Sequence, residues 1–175
     1  MNKKILGIFV SLLVVAMLAT PVMAAAKTKF EVLEFGGLMD EIAPTEVRVA
    51  GRMKQGTGGI LTSAPGHDFG IIWDYSDIYT WLIGSGVLTY DYRVNTDNGR
   101  GVVNWDTLLT FDDGTFEGNI IQHSKFDITG DRPLQTSGFG NGVLFGTGDY
   151  VDWRLDITIE GDFATIQVDL TKPST

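Results

Sequence analysis

From residue 86 to residue 170 the chain alternates apolar and polar side chains with a period of two. Leu88, Tyr90, Tyr92 and Val94 alternate with Thr89, Asp91, Arg93 and Asn95. Val103, Trp105, Leu109 and Phe111 alternate with Asn104, Asp106 and Thr110, and Phe116, Ile120, Phe126 and Ile128 share one parity opposite Glu117, Asn119, His123, Lys125 and Asp127. The pattern repeats in Val151, Trp153, Leu155, Ile157 and Ile159, and again in Ala164, Ile166, Val168 and Leu170. Two shorter runs precede these, one opened by Phe30, Val32 and Leu33, the other carried by Val47 and Val49 between Glu46, Arg48 and Ala50. Strict alternation predicts strands that bury one face and wet the other, as antiparallel sheets do.

The connections suit that reading. Thr96-Asp97-Asn98-Gly99, Asp112-Asp113-Gly114 and Glu160-Gly161-Asp162 place glycine, aspartate and asparagine where hairpins need positive φ. Consecutive hairpins predict a meander of about eight strands, with no convincing amphipathic helix. The expected fold is all-β, an antiparallel meander closed into a roughly eight-stranded barrel. A β-sandwich is the alternative. The barrel is preferred because long strands with internal glycines can bend and close without leaving an edge.

The first residues have a different pattern. Lys3 and Lys4 precede an apolar run from Ile5 to Ala19, Pro21 ends it, and Val22-Met23-Ala24 offers small residues for cleavage after Ala24, with Ala26 as a second site. This predicts a signal peptide over residues 1–24, too short for a comfortable membrane span, and a single domain over 25–175 that is secreted or extracytoplasmic. Loss of the two lysines takes the net charge from −9 to −11. Such a surface argues against nucleic acid, which needs clustered Lys and Arg. No later stretch is long and apolar enough to span a bilayer. The absence of cysteine excludes disulfides, thiolate metal sites and a lipoprotein anchor. No Asn-x-Ser/Thr sequon occurs.

Glycine is the compositional outlier, with 21 of 22 falling after residue 24. The run Gly138-Phe139-Gly140-Asn141-Gly142-Val143-Leu144-Phe145-Gly146-Thr147-Gly148 lacks the third glycine of a dinucleotide fingerprint and no helix is expected after it. It reads as glycine kinks in paired barrel strands. The spacing Gly140-x-Gly142-x-x-x-Gly146-x-Gly148, entering a long final β-region, resembles the glycine pattern of allene oxide cyclase-like and dirigent-like barrels. The resemblance implies an eight-stranded antiparallel barrel with an apolar cavity. It carries no catalytic residue onto this chain.

One region escapes the alternation. Residues 63–85 read as a long loop with a strand or a helical turn inside, rich in aromatic side chains. Long loops on rigid scaffolds concentrate function. The expected contact aromatics are Trp73, Tyr75 and Trp81, with His67, Asp68 and Asp74 as polar partners. Acid–base work on a glycoside by Asp68, Asp74 and Asp77 is a weaker reading, since 22 acidic residues produce such neighbours by chance. Two histidines are too few for a three-histidine zinc site, and the Asp-rich turns match no EF-hand loop. No metal or other cofactor is expected. His123 lies on a polar strand face that faces either solvent or a lumen. Three functions stay open: a non-catalytic module holding a small apolar or carbohydrate ligand at the barrel mouth, a cofactor-free isomerase or cyclase using the cavity, and a structural or adhesive envelope protein. A filled interior would favour the last.

Overall fold

A computed structural model describes residues 26–37, 40–61, 69–75, 78–130, 133–161 and 165–174, with side chains for all of these except 37, 40–46, 75, 78–79 and 165. The strands are β1 (Lys27–Gly37), β2 (Asp40–Ala50), β3 (Met53–Leu61), β4 (Phe69–Tyr75), β5 (Ile78–Asn95), β6 (Arg100–Phe111), β7 (Gly114–Asp127), β8 (Leu134–Gly146), β9 (Arg154–Gly161) and β10 (Thr165–Pro173). The only helical element among the described residues is a single 3₁₀ turn, Gly148–Tyr150. Eight strands close a ring in the order β5-β4-β1-β10-β9-β8-β7-β6, with β6 returning to β5, and β3 and β2 add to the outside of β5. Every pairing is antiparallel. The fold is the closed eight-stranded barrel that the meander predicted, enlarged by two outer strands.

Closure depends on two strands that change partners along their length. Residues 78–84 of β5 pair with β4, whereas residues 87–95 pair with β3 while the opposite edge holds β6. Residues 27–31 of β1 pair with β10 and residues 32–37 with β4, with a register shift between Val32 and Glu34. A bulge bends its strand and re-aims its side chains. Here it turns Leu33 outward, against the expectation that Leu33 joins the core, and lets Phe35 pack on Phe69 with ring centroids 4.9 Å apart.

The alternation maps onto the interior where it was longest. Val103, Leu109 and Phe111 of β6, Phe116, Ile120 and Phe126 of β7, Leu155, Ile157 and Ile159 of β9, and Val168 and Leu170 of β10 are all buried. It fails near the margins. Val47 and Val49 are exposed, the latter at 64 %, because β2 is outermost and paired along one edge only. Val151 is exposed because the chain makes a 3₁₀ turn there before β9 begins, and Ile166 is also exposed.

The glycines of β8 lie in a strand paired on both edges, as the sequence suggested. Gly138, Gly140, Gly142 and Gly146 occupy alternate positions on one side of a strand that pairs with both β7 and β9. A Cβ on Gly142 would stand 2.5 Å from the Asn119 carbonyl oxygen and 2.6 Å from Ile120 Cγ1, so a side chain has no room there. The polar turn residues also have local work. Asn98 Oδ1 accepts from the Arg100 amide at 2.9 Å and Gly99 adopts φ +67°. Asp127 Oδ1 accepts from the Thr129 amide and hydroxyl at 2.9 and 2.7 Å, and these bonds hold its carboxyl below the usual carboxylate range.

Candidate functional site

The region expected to be an irregular loop is largely a β-hairpin. Its strands, β4 and the first part of β5, pair from Phe69↔Gly84 to Tyr75↔Ile78. The period-two signal is hidden because both faces of the hairpin are apolar. Phe69, Ile71 and Trp73 are buried at 1 % exposure each, while Trp81 at 61 % and Ile83 at 58 % stand outside. Continuous apolar runs carry no alternation to read.

This geometry separates the expected contact residues. Trp73 pairs with Thr80 and Ile72 with Trp81, so the two tryptophans project from opposite faces of the sheet. Trp73 packs edge-on against Trp153, centroids 6.1 Å apart, within the main core. It is a structural residue and not a mouth contact, because a ring with 1 % exposure offers no surface to a ligand. Asp74 is exposed and pairs with Tyr79, one diagonal step from Trp81 on the outer face. Trp81 and Asp74 therefore share a solvent-facing surface. His67 and Asp68 lie outside the described residues, as does the side chain of Tyr75.

The interior is packed. One cluster joins Trp73, Phe69, Ile71, Phe111, Phe116, Leu144, Tyr150, Leu155 and their neighbours, and a second joins Tyr92, Val94, Val103 and Phe126. Burial raises the Tyr150 phenol above its ordinary pKa, with Asp113, Asp112 and Asp149 adding to the effect. Trp105 packs against both clusters, and polar side chains lie beside it. Its indole N–H donates to Gln122 Oε1 at 3.1 Å, and Gln135 Nε2 donates to Ser124 Oγ at 2.6 Å. Gln122 is fully buried, and its Nε2 has no hydrogen-bond partner among the described residues. Burying a polar group is tolerable only when most of its hydrogen bonds are kept.

A second surface lies at the other end of β5. Strand register lines up Arg93, Val102, His123 and Phe139 across four strands, and Arg100, Lys125 and Ser137 in the next row. All project outward, which settles the face carrying His123 as solvent-facing. The His123 and Phe139 rings stack with centroids 5.3 Å apart and planes at 22°. Over them run two adjoining open hollows of about 560 and 700 Å³ that share Arg100, Gly101 and His123. The sequence expectations missed this surface because its residues are spread from 93 to 139. The signal was present in the turns, since short hairpins fix which residues face each other across β5, β6 and β7.

Among the described residues no group of three or more His, Cys, Asp or Glu side chains is placed to hold a metal ion, and no helix is long and apolar enough to cross a membrane. No protein-family model, curated protein or solved structure matches the chain.

Proposed function

We propose that this chain is an exported, non-catalytic binding module that holds a carbohydrate against the outer face of the β4–β5 hairpin. Trp81 serves as the stacking platform and Asp74 as a polar partner. The observation that carries the reading is the exposure of Trp81 beside Ile83 on an uncovered sheet face. An exposed apolar patch of this kind marks an interaction surface more often than chance. An indole offers a large, rigid contact area and a polar N–H at little entropic cost. A small apolar ligand is the weaker choice, because such ligands need a concave site that encloses them, and the barrel interior here is occupied by packed side chains. That filled interior favours the structural or adhesive envelope reading, which is the second reading; glycan capture through Trp81 separates the two. The exported setting rests on the leader-like residues 1–24. The cyclase-type alternative is favoured by three buried polar atoms that have no hydrogen-bond partner among the described residues, Gln122 Nε2, Thr107 Oγ1 and Trp73 Nε1.

The test is capture by insoluble cellulose, chitin, xylan and mannan. The native chain is expected to sediment with at least one of them. Trp81→Ala should lose that capture while its unfolding transition stays where it was. Capture unchanged in Trp81→Ala, or no capture by any of the four, would reject the reading.

A further inference from the structure

We infer that the outer groove centred on Arg100 and His123 binds an acidic polysaccharide through its carboxylate or sulfate groups. This is a separate site from the Trp81 face, since the two lie on opposite halves of the 18-residue strand β5.

Charge is the first reason. The chain carries 22 acidic and 13 basic residues, yet among the described residues no carboxylate lines either of the two adjoining hollows, which hold Arg93, Arg100, Lys125 and His123. Among the described residues Arg93, Arg100 and Lys125 have no ion-pair partner, in contrast to Lys29, Arg52 and Arg154, which pair with Asp169, Asp97 and Asp156. Two acidic residues flank this row: Asp91, which accepts hydrogen bonds from Asn104 Nδ2 at 3.1 and 3.3 Å, and the exposed Glu160, which pairs with Phe139 at the β9 end and lies across one strand spacing from it, away from Arg93 and Arg100.

Shape is the second reason. From Arg93 on β5 to Phe139 on β8 the cations and rings cross three inter-strand spacings, roughly 14 Å. A single small anion would engage one end of such a row. A polymer bearing an acid group on successive residues can engage all of it, and an open groove admits a chain that runs on past both ends.

The stacked His123–Phe139 pair is the third reason. Phe139 is 64 % exposed and lies beside the cations. It gives the groove an apolar floor on which the carbon face of a sugar ring can rest, which charge alone would not require. The net negative charge of the whole chain opposes any polyanion at a distance. That field is screened within about 10 Å at ordinary ionic strength, so the local cations decide at contact. Binding should therefore be short-ranged and sensitive to salt.

The experiment uses the full mature chain with polygalacturonate, heparin, single-stranded DNA and uncharged dextran as probes, at low and high salt. Binding to polygalacturonate, to heparin or to both is expected, none to dextran, with loss at high salt. The first outcome assigns carboxylate, the second sulfate, and the third either acid group. Arg93→Ala, Arg100→Ala and Lys125→Ala should each weaken binding by roughly threefold to tenfold, and the triple variant should abolish it. Phe139→Ala should weaken it as well, whereas Val151→Ser, an exposed change elsewhere, should not. Thermal unfolding of each variant confirms that the fold is kept. Three results would overturn the inference: no polyanion bound at low salt, binding retained by the triple variant, or single-stranded DNA binding as tightly as the glycans with Phe139→Ala having no effect.

Discussion

Trp73 and Trp81 are the same residue type, on adjacent strands of one hairpin, and the barrel uses them in opposite ways. Trp73 points inward and is enclosed by Phe69, Ile71 and Trp153, whereas Trp81 points outward with little covering it. The connection explains the difference. β4 and β5 are separated by two residues, and the register Tyr75↔Ile78 pairs odd positions with even ones. Residues 73 and 81 are both odd, so they fall on opposite faces. Composition alone groups these rings as one aromatic cluster, and only register separates the ring that builds the fold from the ring left exposed on the surface.

The inner face should be intolerant and the outer face permissive, and the expected effects run in that order. Trp73→Ala empties a fully enclosed aromatic site and should cost roughly 3–5 kcal/mol in chemical denaturation. Gly142→Val adds a side chain where a Cβ already meets Asn119 and Ile120 at 2.5 and 2.6 Å, and overpacking of this kind should cost about 1–3 kcal/mol. Tyr150 makes the contrast depend on pH. Burial holds its folded pKa above the ordinary value, so the unfolded chain loses this proton first as pH rises. Stability from this group is complete below the ordinary tyrosine pKa of about 10 and is lost as pH climbs from there through the folded value. Denaturation midpoints measured across that range should fall for the native chain, and fall less for Tyr150→Phe. Trp81→Ala should shift the unfolding free energy by no more than about 0.5 kcal/mol. A cost for Trp81→Ala as large as that for Trp73→Ala would erase the distinction between the faces.

Much of this fold was legible in the alternation. The core positions of β6, β7, β9 and β10 and the turns at 96–99 and 112–114 follow from period two and from turn chemistry, because each of those strands has one dry face and one wet face. The β4–β5 hairpin was not legible, because Ile71 and Trp73 inside and Trp81 and Ile83 outside give an unbroken apolar signal. The outward valines of β2 misled for another reason. Val47 and Val49 alternate as a core strand would, but only the topology shows that β2 lies outside the ring. Of the expected site residues, Trp81 and Asp74 share an exposed face and Trp73 belongs to the core. The groove residues Arg93, Arg100, His123, Lys125 and Phe139 are distant in sequence, and three successive registers are needed to bring them together.

The central claim is that recognition happens on the outside of a filled barrel. Its most direct test is fluorine NMR of the chain labelled with 5-fluorotryptophan, which gives one resonance for each of Trp73, Trp81, Trp105 and Trp153, assigned by single Trp→Phe substitutions. Soluble oligosaccharides of cellulose, chitin, xylan and mannan are titrated in turn. The account predicts that a binding sugar shifts the Trp81 resonance and leaves Trp73 and Trp105 in place. A shift at Trp73 or Trp105 with Trp81 unmoved would put the ligand inside the barrel and contradict the account.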